Sequence, residues 1–283
     1  MSSLSIENIE WFIEYISNNH KIDLTKFDNF IDPSIWAILK SKLLLDTNKL
    51  EIMPFVSGSK SHQYLMKILG KSTSDTTLPL ERFNSDNRDE SDQFAENFIK
   101  LIDIEDEDPK KYAQYIIREL LTNTIDHARS TTDVVCCAQK FPKIKEIEII
   151  IIDTGLGFHK TISRKYSEIS SNEEAIKKAL EKGVTGTTES KMYYRMYGQL
   201  KNAGLGLYVI SEMVKYYNGK LFIISKNGSL TQQGNSIKSK SLNHEWNGSI
   251  VIVRLPYDKL NYTFSEFMKY ITQDHQPNNS DIF

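Results

Sequence analysis

Apolar side chains at Ile6, Ile9, Phe12, Ile13 and Ile16 recur three and four positions apart, which predicts a helix over 5–19. The next stretch, HKIDLTKFDNFIDP, alternates short apolar and polar pieces like a strand and its exit. Pro33 then opens a helix, SIWAILKSKLLL, with proline in the first turn. KLEIMPFV reads as a strand, and SHQYLMKILG as a helix closed by Gly70. Alternation of strand and helix predicts a small α/β unit over residues 1–82. The polar, turn-rich stretch 71–92 reads as a linker, a short helix follows at 93–102, and the acidic run Asp103–Asp108 completes a connecting segment over 83–108. That run suits the positive end of the helix starting at Pro109 and otherwise reads as a solvated cap.

From Pro109 the pattern changes. A helix carries Ile116, Ile117, Leu120, Leu121 and Ile125 on one stripe and Glu119, Asn123, Asp126 and His127 on another. TTDVVCCAQ and KEIEIIIIDTG read as strands. Residues 158–203 read as a long insertion with one helix near 171–182. A helix over 205–217, a strand (GKLFIIS), a loop rich in Ser, Asn and Gly, and a final strand (GSIVIVRLP) follow. Residues 261–283 read as a tail, polar and disordered from 274 onward.

Composition narrows this little. With 40% hydrophobic and 25% charged residues the chain fits a soluble globular protein. A net charge of -2 and no dense basic patch argue against nucleic acid or anionic lipid as a partner. The N-terminus carries no pattern of a signal peptide, and the most apolar run, IEIIIID, is too short to span a bilayer. The two cysteines, Cys136 and Cys137, are neighbours in a strand and point to opposite faces, so a mutual disulfide is not expected. Their isolation fits a reducing, cytoplasmic setting.

The chemistry lies in three motifs. IIDTGLGF places Asp153, Gly155 and Gly157 after a buried strand, and NAGLGLYVI places Gly204 and Gly206 at a helix start, where backbone N–H groups favour phosphate. Either alone is a common turn. In order with the helix RELLTNTIDHA they resemble the Bergerat-fold ATPases, the superfamily of gyrase, Hsp90, histidine kinases and MutL. The helix resembles that family's N box and the two glycine motifs its G1 and G2 boxes. NGSIVIVRLP is similar to its closing strand, with Ser249 where the family has Thr. The resemblance covers about residues 95–258. It implies an α/β (α+β sandwich) fold: a Bergerat-type domain over 109–260, with a mixed sheet covered by helices on one face, beside the N-terminal unit.

The same resemblance implies ATP and Mg²⁺ as cofactors and assigns the polar stripe to the nucleotide. Asn123 would ligate Mg²⁺ through its amide oxygen. Glu119 is either the general base for the attacking water or a plain surface carboxylate. Asp126 reaches a metal-bound water or the surface, and His127 is a packing or phosphate-proximal residue. Asp153 would accept from the adenine amino group, assisted by Ser249, with Gly155 and Gly157 forming the pocket wall. Gly204, Leu205, Gly206 and Leu207 would wrap the phosphates. Residues 158–203 would be the ATP lid, with Thr185, Thr187 or Lys191 meeting the γ-phosphate.

The N-terminal segment resembles, more faintly, a STAS-type domain of the anti-sigma-factor antagonists, in which Ser34 falls at the phosphorylatable serine. Pro33 and Ile35 depart from that pattern. Two functional classes follow. One is an ATPase, or an anti-sigma-type kinase passing the γ-phosphate to a protein. The other is an ATP-dependent switch that binds a regulatory protein partner without significant turnover; a homodimer is compatible with both. A cytosolic histidine kinase is a narrower alternative, since neither His20 nor His62 lies in a phospho-acceptor-like context. Gyrase, MutL and Hsp90 proper would need a further domain after Pro256.

Overall fold

The computed structural model describes residues 4–27, 31–45, 51–53, 57–84, 88–102, 107–124, 134–184, 204–259 and 262–272. Within them the helices are α1 (Ile9–Asn18), α2 (Pro33–Leu45), α3 (Lys60–Ile68), α4 (Arg88–Ile102), α5 (Glu107–Asn123), α6 (Phe158–Ile162), α7 (Asn172–Ala179), α8 (Gly206–Tyr216) and α9 (Phe264–Thr272). The strands are β1 (Lys21–Asp23), β2 (Glu51–Met53), β3 (Thr77–Phe83), β4 (Val134–Phe141), β5 (Glu146–Asp153), β6 (Lys220–Ser225), β7 (Gly228–Gln233), β8 (Ser236–Ser241) and β9 (Ser249–Pro256). β1 and β2 form a parallel pair, and the other seven form one sheet in the order β3-β4-β5-β9-β6-β7-β8.

The α/β class and the Bergerat-type layout stand, with two differences of detail. Every pairing in the large sheet is antiparallel, so it is not mixed. Both faces of its central strands are also covered. One face, through Cys136, Ile149, Ile151, Val253 and Ile223, packs on α4, α5, α7, α8 and α9. The other, through Cys137, Ile150, Ile152, Ile252 and Ile224, packs on Leu4, Phe12, Ile13, Ile35, Ile38 and other N-terminal side chains. Neighbouring strand residues face opposite ways, so Cys136 and Cys137 lie in different cores, both free and fully buried.

The N-terminal segment therefore has no core of its own. It matches the expected order of strand and helix, and among the described residues its sheet is two strands of three residues. Its attachment includes a buried ion cluster. Arg254 on β9 donates through Nε to Glu148 Oε2 of β5 (2.7 Å) and through Nη2 to Asp32 Oδ2 (2.8 Å), and Asp32 also accepts the Ile6 N–H. Glu148 Oε1 has no hydrogen-bond partner among the described residues. Ser34 is wholly buried in the first turn of α2, where a kinase could not reach it without α2 leaving the sheet.

Three further readings change. The supposed linker at 71–92 contains edge strand β3, whose Pro79 sits where the register with β4 shifts between Leu78 and Glu81; an edge bulge is where a strand tolerates proline. The Ser/Asn/Gly-rich loop is the hairpin β7–β8, closed by a two-residue turn with Gly234 at φ 52°. The tail contains α9, whose Phe267, Met268 and Ile271 are buried against α5 and α8. Among the described residues no helix is long and apolar enough to cross a membrane.

Candidate functional site

Helix α5 fixes the site's position because its first turns pack on one end of the sheet and its last turns meet α8. Its first turns, at Pro109, Tyr112, Ala113 and Ile116, enclose a small apolar gap with Ile147, Leu255 and Pro256. Ile147 and Pro256 mark the start of β5 and the end of β9, so the C-terminal turns of α5, which hold Glu119 and Asn123, run toward Asp153 and Ser249. Helix α8 lies antiparallel to α5. Tyr112 and Tyr217 share a 2.7 Å hydroxyl contact at one end, and Glu119 meets Gly206 at the other.

That second contact is tight. A Cβ on Gly206 would lie 2.1 Å from Glu119 Oε2, so only glycine lets the carboxylate approach the start of α8 this closely. Burial raises the Glu119 pKa from 4.5 to about 7. No side chain caps the N-terminus of α8. Leu205 and Leu207 turn their side chains into the helix-side core, so what they offer a ligand is backbone N–H. One turn beyond Glu119, the buried Asn123 Nδ2 has no hydrogen-bond partner among the described residues. A buried polar atom left unpaired costs about 1–3 kcal/mol, which a ligand would relieve.

The sheet supplies the other half. Asp153, Ser249 and Ser225 are opposite one another across β5, β9 and β6. They share the face of Ile151, Val251 and Ile223, the side on which α5 and α8 lie. All three are buried. Asp153 Oδ1 accepts the Gly155 N–H at 2.8 Å, and Ser249, its cross-strand neighbour, is placed to favour the ionised carboxylate. A carboxylate has about four acceptor sites, so capacity remains for a donor from a ligand. Burial raises its pKa to about 6, against the lowering by these neighbours and by Lys226.

Glycines bring the surrounding loops together. Gly248 (φ 106°) has Asp153 O 2.1 Å from where its Cβ would be, and Gly157 (φ 77°) has Ser225 Oγ at 2.8 Å. Gly204 (φ 90°) lies against the backbone of Gly183 and Val184, and its carbonyl accepts the Gly183 N–H at 3.0 Å. This pairing joins the described residues on either side of 185–203 in the expected lid. The first part of 158–203 is folded: α6 packs on α7 and α7 on β7, and Ala175, Ile176 and Ala179 are buried in the core. Residues 185–203 of the expected lid lie outside the described residues. Asp126, His127, Thr185, Thr187 and Lys191 lie outside the described residues.

Glu119 and Gly206 thus meet at one end of α5 and α8, while Asp153 and Ser249 meet at the end of the sheet toward which that end points. Sequence reasoning missed Ser225 and Gly248. A polar residue closing an apolar strand, as in LFIIS, was the available signal for Ser225, because IIIID ends the same way. The family model for histidine kinase-, DNA gyrase B-, and HSP90-like ATPases matches residues 108–259, from the first turn of α5 to just past β9. No curated protein matches the chain.

Proposed function

Because this chain belongs to the histidine kinase-, DNA gyrase B- and HSP90-like ATPases, we propose that residues 108–259 bind Mg-ATP and hydrolyse it, with Glu119 as the general base. The observation that carries this reading is the Glu119 carboxylate held against Gly206, one helical turn before Asn123. A pKa of about 7 makes Glu119 a better base at neutral pH than an ordinary carboxylate, and its place beside the start of α8, where backbone N–H groups favour phosphate, supports this role.

In this reading Asp153 accepts from the adenine amino group and Ser249 holds the carboxylate in place. Gly155 and Gly157 let the backbone pass close to the base. The N–H groups from Gly204 to Leu207 bind the phosphates. Asn123 would hold Mg²⁺ through its amide oxygen, and the bound metal would neutralise charge on the phosphates. Glu119 takes a proton from water as the water oxygen bonds to the γ-phosphorus and the bond to the β-phosphate oxygen breaks.

A second reading has its own support. The Gly183–Gly204 hydrogen bond brings both feet of the intervening segment together, so nucleotide binding there could change a surface that a regulatory protein reads. γ-Labelled ATP separates the two. Free phosphate that disappears in Glu119→Gln supports hydrolysis; label on protein supports a kinase; label retained as bound ATP supports the switch. The ATP site itself is tested by thermal melting. Mg-ATP raises the Tm of the wild type and leaves that of Asp153→Asn unchanged; an equal rise in the mutant would remove adenine from Asp153.

A further inference from the structure

We propose that Ser225 is a positioning residue for adenine, acting through the loop that follows Asp153. The inference rests on the ATP-site reading and adds a residue that neither the motifs nor the family match singles out. Ser225 is fully buried at the end of β6, opposite Ser249, which is opposite Asp153. Its Oγ accepts the Phe158 N–H at 2.8 Å, an interaction between residues 67 positions apart. It also lies 2.8 Å from where a Cβ on Gly157 would be, so it both holds and limits the loop at that point.

The consequence for the base is geometric. Residues 154–157 leave Asp153, pass the base-binding end of the sheet and start α6 at Phe158. Asp153 Oδ1 fixes this loop at Gly155, and Ser225 fixes it at Phe158. With both ends held, the wall beside the Asp153 carboxylate is in place before a nucleotide arrives, and the remaining acceptor capacity of Asp153 keeps one direction. Adenine places an amino donor there, and guanine places a carbonyl acceptor that a carboxylate repels. Discrimination between them depends on how firmly the loop holds the base against Asp153, and Ser225 supplies one of its anchors.

The test compares wild type, Ser225→Ala, Ser225→Thr and Phe158→Pro. Phe158→Pro removes the donor rather than the acceptor; proline is suited to the first position of a helix, and Gly157 at ψ 166° suits the residue before it. Affinities for Mg-ATP and Mg-GTP are measured by calorimetry, and exchange of the Phe158 amide by NMR where that amide exists. Ser225→Ala is expected to speed Phe158 exchange, weaken Mg-ATP about tenfold and leave Mg-GTP nearly unchanged, so that the preference for adenine narrows. Phe158→Pro gives the same narrowing, and Ser225→Thr, which keeps the hydroxyl, restores the preference. Unchanged ATP affinity in both Ser225→Ala and Phe158→Pro overturns the inference alone, as does an equal loss for both nucleotides. A wild-type protein that binds no Mg-ATP overturns the site reading and this inference with it.

Discussion

At the scale of single residues, Glu119 makes the sharpest prediction, because hydrolysis and stability respond to its proton in opposite ways. Its pKa is raised by burial to about 7, so turnover is expected to rise with pH through about 7 and then level off. Glu119→Gln should abolish turnover at every pH while Mg-ATP still binds. Stability runs the other way. A carboxyl whose folded pKa lies above its unfolded value contributes fully below the unfolded value and loses that contribution as pH rises through the folded one. The unliganded Glu119→Gln protein should therefore melt higher than wild type at pH 8 and not at pH 4, which scanning calorimetry reads directly. The residues visible in the sequence were those with chemistry of their own: Glu119, Asn123 and Asp153 stand out as polar groups beside apolar runs. Ser225 and Gly248 act through contacts with residues 67 and 95 positions away, and no local pattern reports such pairings.

At the scale of elements, the meeting of α5 and α8 has the least slack. Gly206→Ala puts a methyl 2.1 Å from Glu119 Oε2, far inside van der Waals contact. Because the obstructed atom is the tip of a side chain, the fold should survive and the carboxylate should move. The expected result is a Tm within a few degrees of wild type with turnover reduced by at least about tenfold, the order of effect a misplaced catalytic group has; unchanged turnover would mean that Glu119 does not act from this position. The elements legible in the sequence were those with a clear period, such as α1, α5, β5 and β9. β3 was hidden by Pro79 and polar flanks, because its strand character comes from pairing with β4. β7 and β8 were hidden because their exposed or polar-facing serines, glutamines and lysines read as loop, although Gly228 and Gly234 marked both turns. For α9 the signal was present in Phe264, Phe267, Met268 and Ile271 at helical spacing.

At the scale of the molecule, the main finding is that one sheet carries two cores. The sequence did contain this: the unbroken apolar run from Ile149 to Ile152 indicates a strand buried on both faces, since a strand with one wet face alternates. What it could not show was which segment lay on the second face. The Arg254 cluster joins that segment to the sheet, and it places two buried carboxylates on one guanidinium. Burial holds both carboxyls above their ordinary range, Glu148 at about 7. Arg254→Met should cost about 3–5 kcal/mol in denaturant unfolding at pH 8, as expected when a buried ion pair loses one partner. The deficit should shrink at pH 5, where Glu148 is neutral; a deficit independent of pH would mean that packing rather than charge is lost. The adjacent cysteines give the same architecture another use. Their sulfurs belong to separate layers, and burial holds both thiols well above their ordinary range. Each is shielded from alkylating reagents until its own layer lifts, so two consecutive positions in the chain form a pair of independent clocks, one timing the release of the N-terminal segment and the other the opening of the nucleotide-side helices.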